Sequence, residues 1–317
     1  NERLENSRNF ANKVWNASRF IMMNMDEDAE SAIHQEAPAG LEPVDHWILS
    51  KFNKTVKEVT DNMDHFELGI AVQKVYDFIW EEFCDWYIEM VKPRLWAEDD
   101  DTKAAALWTL NKVLIDSLKL LHPYMPFITE EIFCNLQDEE ESIMISEWPT
   151  YKDEYNFAAE EADVELMKEA VRNIRNLRAE MNVAPSRKAK VYVVSENEGV
   201  RTTFDKGQIF FSQLAYASGV VIQPDKSGID DDAVSTVIPQ AVIYMPFADL
   251  VDVKLEIERL TKEQNRLNGE IKRCQGMLNN EKFLSKAPKS KVDEEKEKLA
   301  KYEDMLRQVD ERLASLK

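Results

Sequence analysis

Apolar residues recur at steps of three and four through the first 150 residues, which is the spacing of one face of an amphipathic α-helix. Aspartates at 99–101 offer N-caps, and the acidic, proline-bearing stretch 26–43 is expected to be a loop. The third predicted helix is expected to end near Pro93. The predicted helices cover residues 4–25, 48–63, 68–90, 107–121 and 126–137. Helices with one apolar face each pack together, so we predict a helical bundle over residues 1–150.

The pattern changes after Pro185, where short β-branched runs replace the helical spacing. A helix is predicted at 158–181 and another at 207–217. The predicted strands cover residues 189–194, 220–223, 234–238 and 242–247. We therefore expect a small α+β connector at 151–249.

The last part of the chain carries two heptad seams, one from Leu250 to Leu278 and one from Val292 to Leu316. Closing the loop between them costs roughly 2 kcal/mol of chain entropy, and the tethered partner is present at millimolar effective concentration. Pairing within the chain should therefore outcompete dimerisation. We predict an antiparallel coiled-coil arm at 250–317 whose first helix is about 43 Å long.

Composition agrees with a mainly helical protein that has a small α+β unit, because glycine is scarce among 317 residues. The chain does not begin with methionine and starts inside a helical pattern, which we interpret as a cut from a longer polypeptide. No apolar run reaches the roughly 20 residues of a membrane span. The three cysteines, Cys84, Cys134 and Cys274, have no metal-ligand spacing and indicate reduced thiols of a cytosolic protein.

Charge is distributed unevenly along the chain. The formal net charge is −20, but residues 253–317 hold 16 basic and 13 acidic residues. The predicted arm tip carries Lys282, Lys286, Lys289 and Lys291. Such an asymmetry can orient a polyanion towards the arm. The alternative is that exposed coiled-coil faces are rich in lysine without any ligand.

The sequence contains no recognisable set of catalytic residues. The four histidines are scattered, and no Gly-rich phosphate loop is present. Adjacent glutamates such as Glu130 and Glu131 diverge on a helix and indicate a solvated face. We expect no catalytic residue, no metal site and no cofactor within this chain.

The first predicted helix combines arginines, amides and aromatic rings. Amides can bond base edges, arginines can pair with phosphate, and aromatic rings can stack on unpaired bases. The alternative for Phe10, Trp15 and Phe20 is a place in the bundle core. The candidate RNA contacts of this helix are Arg8, Asn12, Lys13, Trp15, Asn16 and Arg19.

A second basic stripe lies on the helix predicted at 158–181. Arg172, Arg175 and Arg178 follow at three-residue steps and could line a phosphate backbone. Pairing with Glu169 and Glu180 is the alternative.

Four segments carry a family resemblance. RNFANKVWNASRF at 8–20 and LHPYMPFITEE at 121–131 resemble the anticodon-binding bundle of class I aminoacyl-tRNA synthetases of the valine, isoleucine and leucine group. LNNEKFLSKAP at 278–288 resembles the arm tip of bacterial valyl-tRNA synthetases, and IRNLRAEMNVAP at 174–185 is similar to their segment leading into the arm. The cysteine-rich zinc module of many isoleucine enzymes is missing.

The resemblance implies a tRNA-binding region that has no active site of its own. It implies that the bundle holds the anticodon stem-loop and that Lys282, Lys286 and Lys289 lie near the tRNA elbow. Valine activation with ATP and magnesium, aminoacyl transfer and editing would belong to domains outside this sequence, since neither an HIGH-like motif nor a KMSKS loop is present. The expected partner is tRNA(Val), with no DNA and no membrane, and the expected state is a monomer. The alternatives are an isoleucyl or leucyl enzyme, or a structural coiled-coil protein that self-associates.

Overall fold

The computed structural model describes residues 2–25, 37–97, 100–137, 140–251, 253–280 and 288–315. The prediction of a mainly helical protein with a small α+β unit is confirmed. The chain divides into two compact units. The first comprises residues 1–172 and 202–214, and the second comprises 173–201 and 215–317. The predicted loop at 26–43 falls mostly outside the described residues.

Helices make up the first unit. Proline at the first position starts both α2 and α6, where the missing backbone N–H has no partner to lose. The bounds are α1 Glu2–Asn24, α2 Pro43–Asp64, α3 Leu68–Asp77, α4 Ile88–Trp96, α5 Lys103–Leu121, α6 Pro126–Leu136, α7 Ala158–Glu180, α8 Glu198–Lys206 and α9 Gln208–Leu214. Both α7 and α8 cross from one unit to the other in sequence.

The third predicted helix is present, but its middle section is not α-helical. A π-helical segment, Phe78–Tyr87, joins α3 to α4. Its five-residue spacing brings Phe78, Phe83 and Ile88 to one side, and all three are buried. The helix also continues past Pro93 to Trp96, although a proline lacks the N–H donor and its ring crowds the preceding turn.

A buried ion pair holds the start of α2 against the end of α4. Asp45 is fully buried and accepts hydrogen bonds from both terminal nitrogens of Arg94, at 2.8 and 2.9 Å. The Tyr87 hydroxyl donates to the same carboxylate at 2.7 Å. Burial alone would lower the pKa of Arg94, but the hydrogen bond and the charge of Asp45 outweigh burial and raise it.

A second ionic cluster anchors α7 within the first unit. The fully buried Lys168 donates to Glu82 and Glu165, and its ammonium lies 4.7 Å from the Trp47 ring centroid. Trp47 also donates its indole N–H to Glu165 at 3.2 Å. Burial would raise the pKa of Glu165, but the charge of Lys168 and further hydrogen bonds lower it overall. Lys51 lies 3.7 Å from Glu82 and 3.3 Å from Glu165, so two ammonium groups face the two carboxylates, as burial requires.

The second unit contains a four-stranded sheet of order β2-β1-β4-β3. The pair β1/β2 at one edge of the sheet is parallel, with Val191 beside Val220, and the other two pairs are antiparallel. The strands are β1 Ala189–Val194, β2 Ala217–Gln223, β3 Val234–Ile238 and β4 Ala241–Met245. The four predicted strands are present, β2 starting three residues earlier than predicted.

The connection between β1 and β2 differs from the single predicted helix at 207–217. It holds both α8 and α9, which are separated at Gly207. A Cβ atom at Gly207 would lie 2.0 Å from the sulfur of Met167, so a larger residue there would require the Met167 side chain to move.

Two long helices, α11 Val253–Leu278 and α12 Lys289–Ser315, form the predicted hairpin. Gln264 donates to Asp310, and Cys274 donates to Glu295. Residue numbers rise along one helix while those of the partner fall, so the pair is antiparallel. Leu250 was predicted to begin the seam but lies in a separate short helix, α10 Phe247–Leu250, which ends at the extended residue Val251.

Removing the carboxylate of the Asp45–Arg94 pair should destabilise the first unit. Asp45→Ala leaves a buried guanidinium without its partner, and we expect a loss of about 3–5 kcal/mol in the free energy of unfolding. The measurement is urea unfolding followed by tryptophan fluorescence, which reports on this unit because all seven tryptophans lie between Trp15 and Trp148.

The exposed Asp61→Ala is the control and should change stability by less than about 0.5 kcal/mol. The double variant Asp45→Leu/Arg94→Met should recover much of the loss, because no charge is then buried alone. Equal stability of Asp45→Ala and the control would contradict the structural role of the pair.

Candidate nucleic-acid interface

The two sides of α1 differ sharply in environment. Phe10, Val14, Ala17 and Ile21 are buried against the other helices of the first unit. At 3.6 residues per turn, the opposite side falls within an arc of roughly 100°. The residues of this exposed face are Arg8, Asn12, Trp15, Asn16 and Arg19.

The exposed face of α1 presents an aromatic ring between cations and amides. Trp15 is 42% exposed, so the alternative that places it in the core is wrong, whereas the same alternative is right for Phe10, which is 4% exposed. Arg8 makes a solvent-exposed ion pair with Glu5 at 3.6 Å, which contributes little free energy and can be exchanged for phosphate. The face therefore offers an indole for stacking, two amides and two guanidinium groups for hydrogen bonding.

Lys13, which was predicted to contact RNA, lies outside this face. Its ammonium is 2.6 Å from Asp85 and 3.8 Å from the centroid of the Trp80 ring. That ring stacks on Phe10 and so covers the core. Lys13 therefore holds α1 to the π-helical segment and does not belong to the exposed face of α1.

The carboxyl end of α1 meets the end of α4 at a cluster that the sequence did not reveal. The Lys92 ammonium lies 5.7 Å from the ring centroid of Phe20 and 5.9 Å from that of Trp96. Trp96 is 62% exposed and Met23 is 77% exposed. We call Phe20, Met23, Lys92 and Trp96 the basic–aromatic end. The helix continues through Pro93, and this continuation carries Trp96 back towards α1. The sequence predicts a helix end near Pro93 and so does not indicate the cluster.

The arginine stripe on α7 is only partly exposed. Arg172 is exposed and stacks 5.3 Å from the Trp86 ring, and Arg175 is exposed as well. Arg178 was predicted to line the same rail, but it is 3% exposed, and its guanidinium donates to the carbonyls of Ala184 and Arg187. Burial lowers the pKa of Arg178. This part of the prediction is corrected, because Arg178 stabilises the turn into β1.

The arm presents fewer uncompensated charges than its lysine and arginine content suggests. On α11, Arg266 bonds Glu263 and Arg273 bonds Glu270, each three residues earlier. Glu295 sits in the seam, and a hydrogen bond from Lys298 lowers its pKa. Of the predicted tip residues, Lys291 is exposed, Lys282 and Lys286 lie outside the described residues, and so does the side chain of Lys289.

The described residues contain no group of three or more His, Cys, Asp or Glu side chains arranged to hold a metal ion. Burial raises the pKa of the Cys84 thiol to about 12, which leaves it protonated at neutral pH. None of the helices in the described ranges is both long and apolar enough to cross a bilayer.

Comparisons with known proteins agree with an RNA-binding region. Residues 45–193 match the anticodon-binding domain of tRNA ligase, and residues 252–317 match the valyl tRNA synthetase tRNA binding arm. The chain is 49% identical over 316 residues to the valine–tRNA ligase of Clostridium acetobutylicum, 49% identical over 315 residues to that of Clostridium perfringens, and 37% identical over 316 residues to that of Bacillus subtilis. These alignments cover at least 99% of this chain but 36% of each relative.

Replacing Arg178 should loosen the sheet of the second unit. Arg178→Ala removes charged hydrogen bonds to two carbonyls and the packing of the guanidinium 5.3 Å from the Tyr216 ring. We expect a loss of about 2–3 kcal/mol, seen as faster amide hydrogen exchange in β1 by mass spectrometry. The neighbouring exposed Asn176→Ala is the control and should leave β1 unchanged. Unaltered exchange in Arg178→Ala would contradict the structural role of this guanidinium.

Proposed function

Because its anticodon-binding domain and its tRNA-binding arm make this chain a member of the valyl-tRNA synthetase family, we propose that it is the tRNA-binding part of a valine–tRNA ligase. In this proposal the bundle contacts the anticodon stem-loop of tRNA(Val), and the arm contacts the elbow. The chain spans about a third of the length of its curated relatives. Attachment of valine with ATP and magnesium, and proofreading, would belong to the rest of the enzyme.

The exposed face of α1 is the observation that carries the proposal. Its polar residues are not needed to pack the bundle, since they point away from the core formed by Phe10, Val14, Ala17 and Ile21. Sequence-specific RNA recognition uses unpaired loop bases that stack on aromatic rings and bond through their edges. Trp15 supplies the ring, Asn12 and Asn16 supply donors and acceptors, and Arg19 supplies charge.

The basic–aromatic end extends this surface. A base splayed from a loop can stack on the exposed ring of Trp96 while Lys92 meets the neighbouring phosphate. Glu89 bonds Lys92 at 2.5 Å in the free protein and would have to share it with the phosphate. We propose that the exposed face of α1 and the basic–aromatic end together contact one anticodon loop.

Because the net charge is −20, binding of a polyanion depends on where the positively charged side chains lie. A polyanion is repelled by most of the chain, so productive binding depends on a few surfaces where cations dominate. On the arm, the proposed contacts to the elbow are the four lysines that the sequence places in and beside the loop between α11 and α12: Lys282, Lys286, Lys289 and Lys291. Arg172 and Arg175 are retained as proposed phosphate contacts. We propose that the protein acts as a monomer in the cytoplasm.

Loss of one cation from the exposed face of α1 should weaken tRNA binding measurably. Arg19→Ala should reduce affinity for tRNA(Val) by about 5- to 30-fold, which corresponds to roughly 1–2 kcal/mol for a charged contact. The slope of log K against log salt should fall by about 0.7 to 0.9. Filter binding or fluorescence anisotropy across a salt series measures both quantities.

Lys57→Ala is the matched control, because Lys57 is an exposed cation of the same unit on α2, away from α1. It should leave affinity and slope unchanged. Equal effects of Arg19→Ala and Lys57→Ala would contradict the assignment of the α1 face. Preferential binding of tRNA(Ile) or tRNA(Leu) over tRNA(Val) would favour another synthetase of the group. Concentration-dependent sedimentation without tRNA binding would favour the self-associating coiled coil.

A further inference from the structure

The arm leaves the sheet through a break in helical structure. Strand β4 is followed by the short helix α10, and α10 ends at Val251, whose backbone is extended with φ of −120° and ψ of 133°. The long helix α11 begins at Val253. Because the hydrogen bonds of a helix do not continue through an extended residue, they do not fix the direction of α11 relative to α10. That direction depends on the side chains that hold the break.

The guanidinium of Arg187 bridges this break. Its Nε donates to the carbonyl of Asp249 at 2.5 Å, and one terminal nitrogen donates to the carbonyls of Ala248 and Val251 at 3.1 and 3.0 Å. The first two carbonyls belong to α10, and the third belongs to the extended residue after it. The last carbonyls of a helix have no partner within the helix, so they can accept from a side chain. A planar guanidinium can bind several of them at once.

Helix α10 is itself tied to the sheet. The Asp249 carboxylate accepts the backbone N–H of Lys190, in β1, at 2.9 Å. Leu250 is 3% exposed, so its side chain is packed in the core of the second unit. A movement of α10 would break this hydrogen bond and expose Leu250. Rotation of the arm therefore takes place at Val251, the residue to which Arg187 also donates.

The position of Arg187 is set from the end of α7. Arg178 donates to the carbonyl of Arg187 at 2.6 Å and to that of Ala184 at 3.1 Å. Arg178 is buried, with its guanidinium 5.3 Å from the Tyr216 ring centroid. We call Arg178 and Arg187 the arginine relay. The relay connects α7, through the turn into β1, to the base of the arm.

The length of the arm makes the angle at its base important. From Val253 to Gln275 the helix extends about 33 Å. A tilt of about 15° at the base would move residue 275 by roughly 9 Å. Hydrogen bonds and ion pairs act over much shorter distances, so contacts made by the tip require a defined angle at the base.

We propose that Arg187 is a positioning residue for tRNA binding, because it locks the break at Val251 and so fixes the direction in which the arm leaves the sheet. The part that concerns tRNA rests on the proposed function, whereas the lock is a property of this chain alone. An arm held in one direction is preorganised, so binding does not have to restrict its motion.

A distance measurement tests the lock. p-Acetylphenylalanine at the exposed positions Ser235, in β3, and Gln275, in α11, carries nitroxide labels and leaves the cysteines unlabelled. Pulsed electron paramagnetic resonance should give one narrow distance distribution, and Arg187→Ala should broaden it by roughly 5–10 Å, the displacement that a tilt at the base produces. Lys188→Ala, which removes the neighbouring exposed cation, is the control and should leave the distribution narrow. Equal widths in the two variants would overturn the inference.

Binding to tRNA(Val) tests the positioning role. Arg187→Ala should lower the affinity by about 3- to 10-fold, because a mobile arm has to be ordered when it binds. Arg187→Lys keeps the charge, but one ammonium does not reproduce the fork of a guanidinium, so this variant should lose affinity as well. Full affinity in Arg187→Lys would mean that only the charge matters and would overturn the positioning role.

A double-variant cycle separates positioning from direct contact with RNA. In a chain whose tip lysines, Lys282, Lys286, Lys289 and Lys291, are all alanine, Arg187→Ala should have no further effect on affinity. A full effect in that background would overturn the inference. Unchanged affinity of the tip variant alone would reject the proposed elbow contact, while the distance measurement would still decide the lock. Hydrogen exchange of β1 checks that the sheet is intact; should Arg187→Ala open β1, both tests are decided on Arg187→Lys.

Discussion

The structure depends on how α1 divides its residues between the core and solvent. Burial of Phe10, Val14, Ala17 and Ile21 fixes the rotation of the helix, because each side chain contributes about 1–3 kcal/mol that a rotated helix would lose. The helical period then determines which residues lie on the opposite side of α1. Arg8, Asn12, Trp15, Asn16 and Arg19 must face outwards together. The same packing that stabilises the bundle therefore assembles the proposed RNA-reading surface.

Two ionic clusters hold the helices around this surface in fixed positions. Asp45 and Arg94 tie the start of α2 to the end of α4, which sets the position of Trp96. Lys168 ties α7 to Glu82 in the π-helical segment, beside the residues that pack on α1. Each cluster satisfies its charges with several hydrogen bonds, so removing one partner costs more than forming the pair contributes.

Much of this architecture could be predicted from the sequence, because periodicity determines which side of a helix is buried. The helices of the bundle, the heptad seams and the exposed side of α1 follow from spacing alone. Arg178 could not be distinguished from Arg172 by spacing, since its burial comes from the turn at 181–188 folding back over the helix. The sequence does not indicate the contact of Lys92 and Trp96 with α1, because Pro93 predicts a helix end before Trp96. The position of Leu250 outside the arm depends on the extended backbone at Val251, which no heptad pattern shows.

Fluorine NMR of the protein labelled with 5-fluorotryptophan tests the central claim most directly. The seven tryptophans include two exposed rings, Trp15 and Trp96, and buried rings such as Trp47 and Trp108. With resonances assigned by single Trp→Phe substitutions, saturating tRNA(Val) should shift or broaden the signals of Trp15 and Trp96 and leave those of Trp47 and Trp108 in place. Bound tRNA with an unchanged Trp15 resonance would contradict the account, because the α1 face would then not be the surface that reads the RNA.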